Sequence, residues 1–341
     1  MLRDVRYRGV AGRLGEESEM KFLRREFLFV YWLCASCAAA AFAAPAARAE
    51  NISLPPEARQ AMDKIYSGDP DAAIPIARAV QQAQPDHPLG YLLEGEALWW
   101  KRYCAAYELK YNIAESWKRG KDPGDEAYLA LADKVIHTAQ ALNEKSESAE
   151  MHVYAGIGWG LKARVYALRS EYRNVARAGV NARTEMLRAL QLDPQMADAT
   201  AGLGLYDYYV DTLSPIVKLL RFFMGIPGGD KQTGVKEMEK GMNEGVLLAV
   251  HIRFVLARSL RQYDAKYEEA LTVAQPLANR FPQNPLFQLL LGNINLQLGR
   301  KATAAPYFQA ALNEPFPDPA CAARLREIAS ALLAQSLASP R

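Results

Sequence analysis

Three prolines are each followed ten residues later by a glycine: Pro85 and Gly95, Pro194 and Gly204, Pro282 and Gly292. A fourth copy, Ser146 and Gly156, keeps the spacing without the proline. Each proline follows an apolar segment of helical periodicity, ending in Gln84, Asp193 or Phe281, and each glycine sits inside the next such segment. Proline lacks the N–H and clashes with the preceding turn, so it stops one helix. Glycine inside a helix costs about 1 kcal/mol against alanine. Its recurrence at one offset predicts that two helices approach closely there. The chain therefore reads as a repeating row of helices.

The last unit shows the pattern whole. After Leu291-Gly292 come a Gly299-Arg300-Lys301 turn, then Ala304, Phe308 and Ala311, then Pro315. This order resembles the tetratricopeptide repeat (TPR) family: Leu-Gly in helix A, small, aromatic and small residues in helix B, and a closing proline. Gln288 and Asn295 stand where the family carries its helix-A aromatics. The helix-B half recurs as Ala182, Met186, Ala189 and Pro194, and as Ala72, Ile76, Ala79 and Pro85. The resemblance covers most of residues 55–320 and implies an all-α fold, an α-solenoid of about six TPR-like helix pairs with a C-terminal capping helix. Over Leu213–Gly241 alone, the chain also resembles a eukaryotic group of TPR proteins linked to inclusion-body clearance and lipid droplets; no function is carried across from that segment.

Length agrees with six pairs, beginning near Pro56, Leu89, Ala149, Ala197, Leu247 and Pro285. Residues 50–341 number 292, and six units of about 34 account for roughly 204 of them. The excess lies between helix A and helix B of the second, third and fourth units. Residues Pro319–Leu337, with Leu325, Ile328, Leu332 and Leu333 at helical spacing, predict the cap. Pro276 and Pro306 fall within predicted B helices, where local kinks are expected. Period-2 alternation is scarce, which argues against a strand-based fold.

A basic start at Met20-Lys21-Phe22-Leu23-Arg24-Arg25 precedes an uncharged run from Phe27 to Ala47, closing on Ala47-Arg48-Ala49. Residues 1–49 read as a leader, with a cleaved export signal over 20–49 and Met20 as a second candidate start. A retained membrane anchor is the alternative, since Phe27–Ala44 is just long enough to span. Arg24-Arg25 resembles a twin-arginine signal, with the general secretory route ahead of it; Cys37 resembles an imperfect lipid-attachment box. The expected location of residues 50–341 is periplasmic or secreted. Beyond the leader remain Cys104 and Cys321. An oxidising compartment permits their pairing, but the repeat scheme puts them in non-neighbouring units, so two buried free thiols are expected.

Partners and chemistry follow by exclusion. The leader carries 8 basic and 5 acidic groups, which leaves 33 of each in residues 50–341. A neutral body has no electrostatic footprint for nucleic acid. The four histidines are scattered, with no metal-ligand spacing and no cofactor or nucleophile motif. No catalytic residue, metal or cofactor is expected, and Glu268-Glu269 reads as a solvated helix end. An enzyme would need Glu108, His152 and Asp207 to converge. The TPR resemblance implies a concave groove lined by helix A, whose positions here are Glu96, Trp99 and Trp100, then Leu205, Tyr208 and Tyr209, then Asn293, Leu296 and Gln297. Leu289 occupies one of the lysine places of the family arrangement that grips a C-terminal carboxylate. The groove implies a protein or peptide partner in the cell envelope, unless its aromatics pack beneath the insertions. For Leu213–Met224, apolar with basic residues three apart, helix packing, partner docking and membrane-surface contact stay open. The rival function is a small-molecule or lipid-binding protein whose insertions close an apolar pocket.

Overall fold

The computed structural model describes residues 52–213, 218, 225–314, 316 and 318–338. The chain divides into Met1–Arg48 and Ala49–Arg341, and all described residues belong to the second unit. The expected leader, residues 1–49 with Met20 and Cys37, lies outside the described residues, as does most of 213–224.

The described residues form thirteen helices and one hairpin. Six helix pairs follow in order: α1 (Pro56–Tyr66) with α2 (Pro70–Ala83), α3 (Leu89–Ala105) with α4 (Asp125–Lys145), and α5 (Ala149–Leu168) with α6 (Tyr172–Leu192). Then come α7 (Ala197–Thr212) with α8 (Lys231–Glu244), α9 (Ala249–Gln262) with α10 (Tyr267–Arg280), and α11 (Pro285–Gln297) with α12 (Lys301–Asn313). Helix α13 (Pro319–Leu337) covers α12 and α11. Consecutive helices pack on one another, and A helices of successive pairs also touch. Each pair is too narrow to bury its own apolar stripe, so stacking supplies the core.

The proline–glycine spacing has the physical cause expected of it. Helices α2, α6 and α10 end on the C-caps Gln84, Asp193 and Phe281, one residue before the prolines. After α10, Asn284 caps α11 by accepting from Leu286 N, and in the copy without the proline Ser148 caps α5 by accepting from Met151 N. A methyl group on Gly204 would lie 2.7 Å from Gly234 O and 2.8 Å from Met238 N, both backbone atoms of α8. On Gly292 it would meet the Phe308 ring at 2.5 Å, and on Gly156 the Met186 side chain at 2.6 Å. The A and B helices of three pairs are thus in contact at their glycines. Gly95 differs, facing Leu161 of the next A helix at 3.0 Å. Ala304, Phe308 and Ala311 are buried as the repeat requires. Helices α10 and α12 run through Pro276 and Pro306 without interruption.

Two features depart from the sequence reading. In the third pair the extra length extends both helices, to 20 and 21 residues. In the second it folds as a β-hairpin, β1 (Tyr107–Lys110) with β2 (Ile113–Ser116), antiparallel, with Glu108 opposite Glu115 and Lys110 opposite Ile113. Its two-residue turn, Tyr111-Asn112, has φ of 53° and 62°, the positive values that match strand twist in a tight hairpin.

The expectation of two free thiols is overturned. Cys104 and Cys321 form a disulfide, with Cα atoms 5.6 Å apart across 217 positions. Counting units along the chain misplaced them, because α13 folds back onto α3 and β1. The first pair likewise meets the fifth and sixth: Asn284 Nδ2 donates to Tyr66 O at 2.9 Å, and the Tyr66 and Phe281 rings lie 5.9 Å apart.

Candidate functional site

The inner faces of the A helices converge on one another. Trp100 of α3 is 2% exposed. Its ring lies 5.0 Å from Phe254 of α9, 5.6 Å from Phe287 of α11 and 6.0 Å from Tyr66 of α1. Trp99 is buried beside Tyr103, with the Arg164 guanidinium 5.6 Å above its ring. The expected groove aromatics of α3 are therefore core residues, packed against other A helices.

What remains of the concave face is occupied by the chain's own hairpin. Asn293 Nδ2 and Gln297 Nε2 of α11 both donate to Asn112 O, at 2.9 and 2.8 Å. Glu115 of β2 is 1% exposed, and its carboxylate accepts from Arg261 Nη2 at 2.7 Å, from Arg258 Nη1 at 3.3 Å and from the Tyr103 hydroxyl. Arg261 Nη1 donates to Asn293 Oδ1 at 3.1 Å, and Arg258 Nη2 donates to the Tyr209 hydroxyl at 2.7 Å. On the far side, Arg324 of α13 donates to Tyr107 O at 2.9 Å. Two glutamates directly opposite each other repel. Here Glu115 is met by Arg258 and Arg261, and Glu108 by Lys110 at 2.6 Å.

Residues 254–320 match the family model described as tetratricopeptide repeat. The fifth and sixth pairs match the tetratricopeptide repeat. No curated protein matches it. Among solved structures, the chain is similar to "Crystal structure of APC/C hetero-tetramer Cut9-Hcn1" at 12% identity and TM-score 0.34, over 84% of this chain and 49% of that one. It therefore spans about half the length of that relative. It is also similar to yeast Tom70 at 11% identity and TM-score 0.26, over 82% of this chain and 88% of that one.

Of the nine expected groove positions, Leu205 and Leu296 pack against the core, and the other seven divide into two sets. Tyr209, Asn293 and Gln297 belong to the network that holds the hairpin. Glu96, Trp99, Trp100 and Tyr208 lie elsewhere in the interior. Tyr208 donates to Asp264 Oδ2 at 3.0 Å, and Lys231 pairs with the other oxygen of that carboxylate. Glu96 accepts from Arg164 Nη1 at 2.5 Å and faces His251 Nδ1 at 3.2 Å. Burial pushes the Glu96 carboxyl upward, but Arg164 and His251 together outweigh it and hold the group at about 2. Burial and the Arg164 charge bring His251 down to about 4, so its imidazole is neutral at pH 7.

Five residues of this network, Tyr103, Asn112, Glu115, Arg258 and Arg261, were not singled out by the sequence reading. The signal was present for the arginines. Ala257 stands at the repeat position that glycine marks elsewhere, which makes Arg258, Arg261 and Gln262 the groove positions of the fifth pair.

The cavity beside Glu96 and His251, between α1, α3, α5 and α9, holds about 20 Å³, the room of a single water. A larger solvent-open cleft of about 790 Å³ lies along α1, lined by Arg59, Asp63, Lys64, Asp69 and Glu314 among others, and is charged. Glu108, His152 and Asp207 do not share partners: His152 meets Glu147 and Glu185, Glu108 meets Lys110 and Arg324, and Asp207 lies near Glu237 and Arg183. Among the described residues no group of three or more His, Cys, Asp and Glu is placed to hold a metal ion. No described helix is long and apolar enough to cross a membrane.

Proposed function

We propose that this chain is an exported TPR scaffold that binds another protein in the cell envelope and catalyses no reaction. The observation that carries the export half is the Cys104–Cys321 disulfide. Disulfides persist in oxidising compartments, and this one lies downstream of a leader with a basic start, an apolar run and a small-residue ending. The scaffold half is supported by the repeats and by what the concave face already does. It grips an extended segment through side-chain donors to a backbone carbonyl and through guanidinium groups on a carboxylate. Gripping is the use to which these buried polar groups are put: Glu96, Glu115 and Asp125 are each fixed by arginine.

Fractionation of cells expressing a C-terminally tagged chain, with affinity capture after cross-linking, tests both halves. The expected result is a form lacking residues 1–49, oxidised at Cys104 and Cys321, in the periplasmic or secreted fraction and cross-linked to one protein in stoichiometric amount. Recovery of the chain from the cytosol with both thiols free overturns the export half. Capture of no protein overturns the scaffold half.

A further inference from the structure

Tyr111 stands at the turn of the hairpin and is 88% exposed, the most of any large apolar side chain among the described residues. A single exposed hydrophobic side chain is ordinary on a protein surface, but this one also carries a backbone cost. Its φ of 53° lies in the left-handed region, which penalises bulky side chains and which asparagine and glycine tolerate. Asparagine follows at position 112, so the turn uses a favourable residue once and a tyrosine where a second would serve. Burial and turn chemistry both argue against tyrosine at this position, which leaves contact with something outside the chain.

The surroundings give the tip its chemistry. The Tyr111 ring meets Trp117 edge-on, with centroids 6.3 Å apart, and Lys110 Nζ lies 5.7 Å from the centre of the Trp117 ring. The Trp117 indole N–H already donates to Glu108 O at 3.2 Å. Ile113, half-buried, sits opposite Lys110 across the hairpin. Lys110 and Arg324 share the one carboxylate of Glu108, at 2.6 and 3.6 Å, and Lys118, next in sequence to Trp117, is exposed. Three basic groups thus flank the aromatic pair against a single acid. The tip also stands on a fixed base, since Asn293 and Gln297 hold Asn112 O and Arg324 holds Tyr107 O.

We infer that the Tyr111–Trp117 tip of the hairpin rests in the surface of an anionic lipid bilayer, with Lys110, Lys118 and Arg324 on the headgroups. Tyrosine and tryptophan concentrate at the bilayer interface, where a largely apolar ring with one polar end suits both sides. Basic side chains beside them are drawn to anionic lipid. A protein surface fits the tip less well, because a specific interface takes about 1,000 Å² or more and a two-residue turn offers a small part of that. A bilayer accepts a small protruding wedge without a complementary shape. The inference goes beyond the scaffold reading, since it concerns the face that meets lipid and holds whether or not a protein is bound.

The test uses residues 50–341, so that the apolar run before them is absent. The chain is pelleted with vesicles of phosphatidylglycerol and phosphatidylcholine in equal parts, beside vesicles of phosphatidylcholine alone. It pellets with the anionic vesicles and much less with the neutral ones, and added salt weakens the binding. Lipids brominated in their acyl chains quench the fluorescence of the bound protein, and Trp117→Phe removes that quenching. Lys110→Gln weakens binding about fivefold, the worth of one basic group at an anionic surface. Tyr111→Asn separates the tip from the fold: most vesicle binding is lost, while the urea midpoint is no lower than that of wild type, because asparagine suits the turn. Equal pelleting with both vesicle types, or with neither, overturns the inference. Full binding by Tyr111→Asn assigns the contact to another surface of the chain and also overturns it. A lowered urea midpoint in Tyr111→Asn makes the tyrosine a residue of the fold, with the same consequence. Loss of a cross-linked protein in Tyr111→Asn, where wild type ignores the vesicles, gives the tip to a protein contact instead.

Discussion

Arg261 and Glu115 lie 146 positions apart and form an ion pair of 2.7 Å in which both side chains are 1% exposed. The pair joins the inner face of α9 to a hairpin inserted between α3 and α4, so a helix surface of the repeat is completed by a segment that is not helical. A buried pair is a weak source of net stability, yet breaking it is expensive, because the survivor is left charged and unpaired.

Glu115→Gln should therefore destabilise the protein by about 3–5 kcal/mol, read from the midpoint of urea unfolding. The loss belongs to the stranded arginines. Combining Glu115→Leu with Arg258→Met and Arg261→Met should recover most of it, because apolar residues of similar volume replace buried ion groups at little cost. At the exposed Arg300–Glu268 pair, where the side chains are 44% and 63% exposed, removing the carboxylate should hardly move the midpoint.

The helical frame was legible because its signals are local. Pro85, Pro194 and Pro282 end helices through their own backbone chemistry, and Gly204 is required by contacts within its own pair. The hairpin was locally legible too, but its signal is faint. Tyr107 and Leu109 alternate with Glu108 and Lys110, and the turn is Tyr-Asn where Asn-Gly would announce itself. The use of the groove was not legible. That Trp100 would meet Phe254 and Phe287, or that Cys321 would reach Cys104, depends on how far the helix pairs curl back on one another. Such curvature accumulates from small rotations between pairs, and no single residue encodes it.

Alanine at the repeat glycines should separate backbone from side-chain crowding. At Gly204 the added methyl meets backbone atoms of α8 at 2.7 and 2.8 Å, which cannot turn aside, so a loss of about 2–3 kcal/mol is expected. At Gly95 it meets only the end of the Leu161 side chain at 3.0 Å. The helix-propensity gain of about 1 kcal/mol offsets that adjustment, and Gly95→Ala should unfold thermally close to wild type.

Acidification should act on the fold through His251 and Glu237 in opposite senses. Its folded value of about 4 lies below the ordinary 6.5. Between those values the unfolded chain binds a proton that the folded chain does not, so stability falls as the pH drops from 6.5 toward 4. Glu96, at about 2 against an ordinary 4.5, extends the loss to lower pH in the same sense. Glu237 works the other way: burial and the nearby Asp207 charge raise it from 4.5 to about 7, so it adds stability on acidification between 7 and 4.5. His251→Gln should remove the His251 loss alone, so that between 6.5 and 4 the variant gains on wild type by up to about 1.4 kcal/mol per pH unit as the pH falls, with no difference in slope above pH 7. Urea midpoints across the pH series measure it.

The disulfide gives the last prediction. It closes 217 positions of chain, and a loop of that size removes unfolded-state freedom worth about 5 kcal/mol in the chain-entropy account. Replacing Cys104 and Cys321 together by Ser should lower the denaturant midpoint by an amount of that order. Both sulfurs are out of reach of solvent, with Cys104 0% and Cys321 3% exposed, and thiol exchange needs access to the bond. A dithiol reductant added to the folded protein should therefore release few thiols, and the full two should appear only once urea opens the α3–α13 contact. Protein made without residues 1–49 in a reducing cytosol should show both thiols on unfolding without any reductant, and should share the lower midpoint of the double Ser variant. Rapid reduction of the folded protein would mean that α13 leaves α3 readily, and the grip of Arg324 on Tyr107 would be lost with it.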